Sequence, residues 1–352
     1  MINPAQKVES LDTAALAVQP FQLVQPLWEN LVRQDRSSCL YHSGRWISLL
    51  ERAYRFQMLL ASLTLGGEVM ACCVFARVGN FLRHRFVALP FSDYCPPLAK
   101  SRRASDALLR MLPQQSNRSY EVRGAYPSDA AWQSVRCFNR WSIDCSLNKS
   151  QLYRNLASNF RRNIIRAQRS GVDVESGCCK ANLQRFRSLH EATRRRLGLP
   201  VQPFRFFRLL RDLYEQSGDM QIWTASLHGR DLASILTLRE GDTMYYKWSA
   251  RADSDINGAG HLLLWALIEH CSDRFASLDM GRTDERNLGL NRYKHAAGAL
   301  PDPLPYSFIP KAPREISAET PSPLDTLAAR IWRHMPDRLY RFISDFAYSY
   351  LT

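Results

Sequence analysis

The sequence predicts an α/β protein of two similar domains in tandem, each a mixed, mainly antiparallel sheet flanked by helices. Three observations carry this. A chain of 352 residues exceeds what one hydrophobic core ordinarily supports. Two three-strand meanders occur, at 56–65, 69–78 and 81–89 and again at 220–227, 232–239 and 243–249, with glycine-containing turns between strands. Helical patterns precede both, and Ala61-Ser62-Leu63 aligns with Ala225-Ser226-Leu227, which reads as an internal duplication.

Taken in order, 21–33 and 46–55 are helical. Trp46, Leu49, Leu50 and Ala53 recur at three- and four-residue steps. After the first meander Pro90 opens the loop PFSDYCPPL; a helix over 105–112 and strands near 120–123 and 141–147 complete the first domain, residues 1–148. From Gln151, Leu152, Leu156, Phe160 and Ile164 form one apolar stripe of an arginine-rich helix that Gly171 ends. Helices over 181–197 and 204–216, the second meander and a helix over 260–274 follow, giving a second domain at 149–310. Residues 311–352 are a proline-rich linker and amphipathic helices. Leu324, Leu327, Ile331 and Met335 share one face; beyond Pro336, Leu339, Phe342, Ile343, Phe346 and Tyr350 continue an apolar stripe.

Lys plus Arg number 47 against 33 Asp plus Glu, a net charge of +14. That excess favours a polyanionic partner: a phosphorylated or diphosphate-linked substrate, an acidic membrane surface, or RNA. The nine cysteines show neither disulfide-framework nor metal-ligand spacing, so reduced thiols and no metal centre are expected. No secretory leader and no apolar run of membrane-spanning length is apparent, which implies a cytoplasmic protein.

The stretch 276–300 concentrates site chemistry. Residues 277–280 alternate as a half-buried strand, and Gly281 is expected to end it where backbone can lie against a ligand. Arg282 stands at the strand's exit. A helix starting near Leu290 would put Lys294 in or just after its first turn, so that free N–H groups, the helix dipole, Lys294 and Arg282 converge on a phosphate or an oxyanion. Composition alone also allows a plain strand, loop and solvated helix.

Asp279-Met280-Gly281-Arg282-Thr283, followed by Gly289, Tyr293-Lys294 and Gly298, resembles the D-F-G-R-S…G…F-K…G signature of the Fem-type family. These are tandem-GNAT acyl- and aminoacyltransferases of peptidoglycan bridges, with relatives near exopolysaccharide loci. The resemblance implies two GNAT-like domains and places the signature residues Asp279, Gly281 and Arg282 at the substrate site. It gives Lys294 a role in binding acceptor phosphate and stabilising the transition state, and Tyr293 a packing role beside the reacting group. Asp93 becomes a candidate base, although a turn former ahead of Pro96-Pro97 explains it equally. Arg194, Tyr245 and Tyr246 map to substrate-contacting positions, and strand alternation lets one tyrosine of the pair face the cleft. Gly258 and Gly260 stand where a GNAT protein carries its pyrophosphate loop, but Asp255 replaces the usual Gln or Arg and argues against coenzyme A.

The resemblance thus implies transfer of an acyl or aminoacyl group to an amine of a phosphate-bearing or lipid-linked sugar or peptide acceptor. It implies no tightly bound cofactor. The co-substrate would be an activated donor: aminoacyl-tRNA, acyl-CoA or an acyl-carrier protein. A non-catalytic module for polyanionic glycan or RNA on the same scaffold is the alternative. The C-terminal helices have two roles open to them, docking on the body of the protein or lying on the inner face of the cell membrane.

Overall fold

The computed structural model describes residues 14–79, 84–115, 118–253, 258–313 and 323–348. The first half contains β1 (Ala15–Pro20), α1 (Phe21–Gln34), α2 (Gly44–Tyr54), β2 (Gln57–Leu65), β3 (Glu68–Gly79), β4 (His84–Val87), β5 (Leu98–Ala99), α3 (Arg102–Gln115), β6 (Ser119–Arg123) and β7 (Gln133–Asp144). The second contains α4 (Lys149–Asn155), α5 (Ser158–Arg169), β8 (Asp173–Gly177), α6 (Lys180–Arg196), α7 (Phe204–Tyr214), β9 (Met220–Leu227), β10 (Arg230–Glu240), β11 (Thr243–Arg251), α8 (Ala259–Cys271), β12 (Ser277–Asp284), α9 (Leu288–Ala296) and β13 (Leu300–Ile309). Helices Pro323–His334 and Asp337–Ala347 close the chain.

Two compact units emerge. Unit 1 takes the chain up to Ile47, Phe56–Val135 and Pro305–Ala312; unit 2 takes Ser48–Arg55, Arg136–Leu304 and the chain from Pro313. The expected boundary at 148 therefore moves: residues 136–148 belong to unit 2, and 305–312 return to unit 1.

In unit 1, β1, β2, β3 and β4 pair antiparallel in sequence. β4 then runs parallel to β6, and Tyr306–Ile309 of β13 add antiparallel to β6. A parallel pair needs a long crossover, which α3 supplies. α3 buries Ala104, Leu108 and Leu112 against Leu63, Cys73, Phe75 and Val122. Unit 2 repeats the plan: β8, β9, β10 and β11 are antiparallel, β11 and β12 parallel with α8 between them, and β7 antiparallel to β12. Its core joins Ile235, Met244 and Leu278 to Leu263, Leu264 and Leu267 of α8 and Phe160 and Ile164 of α5. Each unit thus completes its sheet with a strand from the far half of the chain.

Several elements differ from expectation for local reasons. The helix expected from 151 is two, because Leu156 leaves helical dihedrals and the Ala157 N–H donates to the Ala296 carbonyl at 2.9 Å. The strand expected at 141–147 lies earlier and stops where the Asp144 carboxylate accepts from the Ser146 N–H and hydroxyl. β8 is too polar to read as a strand, and the prolines in β13 (LPDPLPYSFI) read as loop. Residues 81–83 of the expected third strand lie outside the described residues.

The C-terminal helices dock within unit 2, but not through the expected stripe. Tyr340, Ser344 and Tyr348, spaced four apart, form the buried face. The Tyr340 hydroxyl donates to the Leu199 carbonyl at 2.8 Å, Ser344 Oγ accepts from the Val201 N–H at 3.2 Å, and Arg195 and Arg341 pair with Asp337 and Glu191. Leu327, Ile331, Leu339 and Phe342 are exposed. No helix among the described residues is long and apolar enough to cross a membrane.

Two buried histidines set an acid limit on stability. Burial lowers His42, whose Nε2 meets the Pro96 carbonyl at 2.9 Å, to about 4, and His190, whose Nε2 donates to Gln202 Oε1 at 3.1 Å, to about 3. Both folded values lie below the ordinary value near 6.5, so the unfolded chain takes up protons first and stability present at pH 7 is lost as pH falls below it. Each histidine contributes about 1.4 kcal/mol of loss per pH unit down to its folded value. Urea titrations of His190→Asn between pH 6.5 and 4 are expected to show a slope smaller by that amount than wild type.

Candidate active site

The site of unit 2 begins with a parting of strands. β11 and β12 pair in parallel over only three residues, Thr243–Tyr245 against Ser277–Asp279. β12 then bulges: its register with β7 shifts between Asp279 and Arg282, and Gly281 adopts φ +69°. Glycine takes that conformation without the steric cost a side chain would bring. So Gly281 does not end the strand; it bends it.

Three side chains hold the bulge. Asp279, buried, accepts from the Gly281 N–H at 2.7 Å through one oxygen and from Arg140 Nε at 2.8 Å through the other. Lys294 is buried at 3 % exposure and donates from Nζ to the carbonyls of Met280, Gly281 and Arg282 at 2.6, 3.1 and 3.4 Å. Arg282 lays its guanidinium over the Phe138 ring, 4.4 Å from the centroid. The expected helix start is corrected. Asn287 caps α9 by accepting from the Leu290 N–H, so the helix begins at Leu288 and Lys294 falls in its last turn. Its charge therefore faces the negative end of the helix dipole and the bulge carbonyls, not the positive end.

Between β10 and β11 and the starts of α8 and α9, a cavity of about 550 Å³ opens, lined within unit 2 by Leu232–Ile235, Tyr246, Ser249–Arg251, Ala259–His261, Leu263, Asn287, Gly289, Leu290, Tyr293, Thr193 and Leu197, and by neither Lys294 nor any residue of β12. The walls are mainly apolar, and the first turns of α8 and α9 both reach it with their positive dipole ends. Strand alternation divides the tyrosines: Tyr246 lines the cavity and Tyr245 is buried without lining it. Burial raises the Tyr246 phenol above its ordinary value, and a hydrogen bond with Ser249 pulls it partly back. Tyr293 donates from its hydroxyl to the Gly260 carbonyl at 3.2 Å and packs on Phe160 and His261, pinning α9 to the start of α8.

Gly260 lines the cavity, whereas Gly258, at φ +76°, lets α8 start against α5: a Cβ there would meet the Asn163 carbonyl oxygen at 2.5 Å. Asp255 lies outside the described residues. Arg194 is turned away, its Nε donating to the Pro200 carbonyl at 2.9 Å, while its neighbour Thr193 lines the cavity and braces Arg251 by two backbone hydrogen bonds. Asp93 belongs to unit 1. Its carboxylate accepts from the Tyr41 hydroxyl at 2.6 Å, and its carbonyl accepts from the Tyr306 hydroxyl at 2.6 Å. Thr193, Ser234, Ser249 and Arg251 escaped sequence reasoning; the signal for the last two was their place at the end of a strand facing a Gly-containing loop.

A GNAT acetyltransferase domain is matched over residues 154–295, which contain this cavity, the bulge and Lys294. A UDP-N-acetylmuramoylpentapeptide-lysine N(6)-alanyltransferase of Weissella viridescens is 24% identical over 171 residues, covering 48% of this chain and 47% of its own. The chain thus spans about half the length of the curated relative it matches. The crystal structure of FemX superposes with a TM-score of 0.62 at 13% identity, covering 81% of this chain and 95% of that one. The chain has the tandem GNAT fold of that structure. A tandem GNAT protein of the clavulanic acid biosynthesis pathway shares the fold at a TM-score of 0.52 and 12% identity, over 85% of this chain and all of that one. In this tandem GNAT fold the D-M-G-R-T stretch is the bulge and Lys294 its clamp. Asp279→Asn, which removes the charge from a carboxylate bonded on both sides, is expected to cost about 2 kcal/mol in urea unfolding at pH 7.

Proposed function

We propose that this protein transfers an acyl or aminoacyl group from an activated thioester or ester to an amine of a phosphate-bearing sugar or peptide precursor of the cell envelope or an exopolysaccharide. The observation that carries this reading is the cavity between β10–β11 and the starts of α8 and α9, with two helix N-terminal turns and the Tyr246 phenol in its wall. The name of the Weissella viridescens relative, an alanyl transfer to lysine N6 of a UDP-linked muramoyl pentapeptide, supports an aminoacyl donor and a peptide amine. The excess of positive charge suits both a phosphate-bearing acceptor and a tRNA donor.

In the reaction the acceptor nitrogen attacks the acyl carbon. A C–N bond forms, the C–S or C–O bond to the donor breaks, and the proton lost by the amine ends on the leaving sulfur or oxygen. The apolar walls exclude water, which strengthens the pull of the helix ends on the developing oxyanion. Tyr246, kept protonated by burial, can hand its proton to the leaving group and recover one from the amine. Lys294 acts through the bulge it clamps, and to reach an anion it would release the Arg282 carbonyl, the longest of its three bonds. Asp93 as the base, and Arg282 and Arg194 as substrate contacts, are parts of this reading that need the acceptor in place; Tyr245, buried away from the cavity, is not a contact. The C-terminal helices dock in unit 2, and contact with a membrane surface through their exposed apolar residues is a further part of the proposal.

The test is incubation with aminoacyl-tRNA, acyl-CoA and acyl-carrier donors together with lipid-linked sugar extracts, read by mass spectrometry for the added group. Tyr246→Phe is expected to lower the rate about 100-fold with an unchanged melting temperature. Lys294→Met is expected to lower it about 100-fold or more and also to reduce stability, because buried carbonyls lose their donor. Full activity in both variants refutes the assignment. Salt-sensitive retention of nucleic acid with no donor consumed would instead favour a binding module using Arg162, Arg166 and Arg169, exposed on α5.

A further inference from the structure

Unit 1 holds a second cavity, of about 380 Å³, built on different chemistry. Its floor is apolar and aromatic: Leu59, Phe86 and Tyr120, the two rings stacked at 5.4 Å between centroids and 28° between planes. These residues continue the face of the sheet that α3 covers elsewhere. On three neighbouring strands that inward register ends in a cation. Ala71, Cys73 and Phe75 of β3 lead to Arg77; Phe86 of β4 leads back to His84; Val122 and Tyr120 of β6 lead back to Arg118, the residue just before that strand. A core face has no folding reason to finish in three basic groups side by side.

The three are arranged around the floor. Arg118 lies over the Phe86 ring, 5.1 Å from its centroid. Arg77 donates to His84 Nδ1 and to Gln57 Oε1, both at 3.4 Å. Arginine can only donate, so the imidazole proton sits on Nε2. Among the described residues neither Arg77 nor Arg118 meets a carboxylate, whereas Arg85, pointing to the other face of β4, pairs with Glu121. Burial, then the charges of Arg77 and Arg118, lower His84 below its ordinary value, which reflects an uncompensated positive field.

We propose that this cavity is a binding site for an organic phosphate, with the phosphate held by Arg77, Arg118 and His84 and an aromatic or apolar body resting on Phe86, Tyr120 and Leu59. Guanidiniums match phosphate oxygens, and the half-buried Leu59 with the cavity-lining parts of the buried Phe86 and Tyr120 gives an apolar wall beside them. Nucleotides and lipid phosphates share this chemistry. The site is separate from the unit 2 cavity and does not depend on the transfer reaction.

The full-length protein is titrated by calorimetry with phenyl phosphate, adenosine monophosphate and inorganic phosphate, and floated with phosphatidylglycerol or phosphatidylcholine vesicles. Phenyl phosphate is expected to bind about tenfold or more tightly than inorganic phosphate, because the floor adds apolar contact. Arg77→Gln and Arg118→Gln are each expected to weaken it about tenfold. Gln57→Glu, which deletes no cation but places a competing carboxylate against Arg77, is expected to weaken it as well. Adenosine monophosphate binding without flotation assigns a nucleotide; flotation with phosphatidylglycerol alone, lost in the double arginine variant, assigns a lipid phosphate. No binding of any probe to wild type, or binding unchanged in a folded double arginine variant, overturns the proposal.

Discussion

The geometry of unit 2 rests on an ammonium buried beneath a bent strand. Backbone carbonyls that leave a sheet ladder inside a protein must find donors, and the bulge of β12 turns out three of them. Lys294 meets them from one side while Asp279 ties down the Gly281 N–H from within, itself balanced by Arg140. With the bend fixed, β12 stays with β7 and departs from β11. The bend thus depends on where one lysine places its charge, and a buried cation without these partners would be costly.

The two units show how one plan diverges. Both have a meander, a crossover helix and a parallel pair, but the polar chemistry sits at different places. In unit 2 it lies beside β10 and β11, among helix N-termini and a phenol. In unit 1 the parallel pair β4–β6 carries the buried Arg123–Glu121 pair, and Arg123 also donates to the Ser92 carbonyl at 2.8 Å, fixing the loop that presents Asp93. Arg123 and Tyr306, whose ring lies under that guanidinium, anchor the loop from both sides.

Much of this fold was legible because period-two alternation and the turn glycines are local signals. Five of the six meander strands follow from them to within two residues, the third being a strand over His84–Val87 among the described residues, and the 3.6-residue period gives α6, α7 and α8. What escaped was decided by tertiary partners. A single helix over 151–169 is broken because the Ala296 carbonyl captures the Ala157 N–H, and β13 forms despite its prolines because its pairing with β6 falls at Tyr306–Ile309. At the site, the D-M-G-R-T and Y-K residues were found by resemblance, but the direction of Lys294 was not. The N-cap at Asn287, two residues earlier than expected, moved it from one end of α9 to the other. Arg194 drew attention for its charge, whereas Thr193, uncharged, is the one that lines the cavity.

The interchange of β7 and β13 has a bearing on biosynthesis. Unit 1 lacks its last strand until Tyr306–Ile309 leave the ribosome, although its other strands are finished by Arg123. The open edge of β6 must therefore wait, exposed, while some 180 further residues are made, at a translation speed of about 5–20 residues per second. A gene split between the two repeats would not yield two self-sufficient polypeptides; each would carry a strand belonging to the other and miss one of its own.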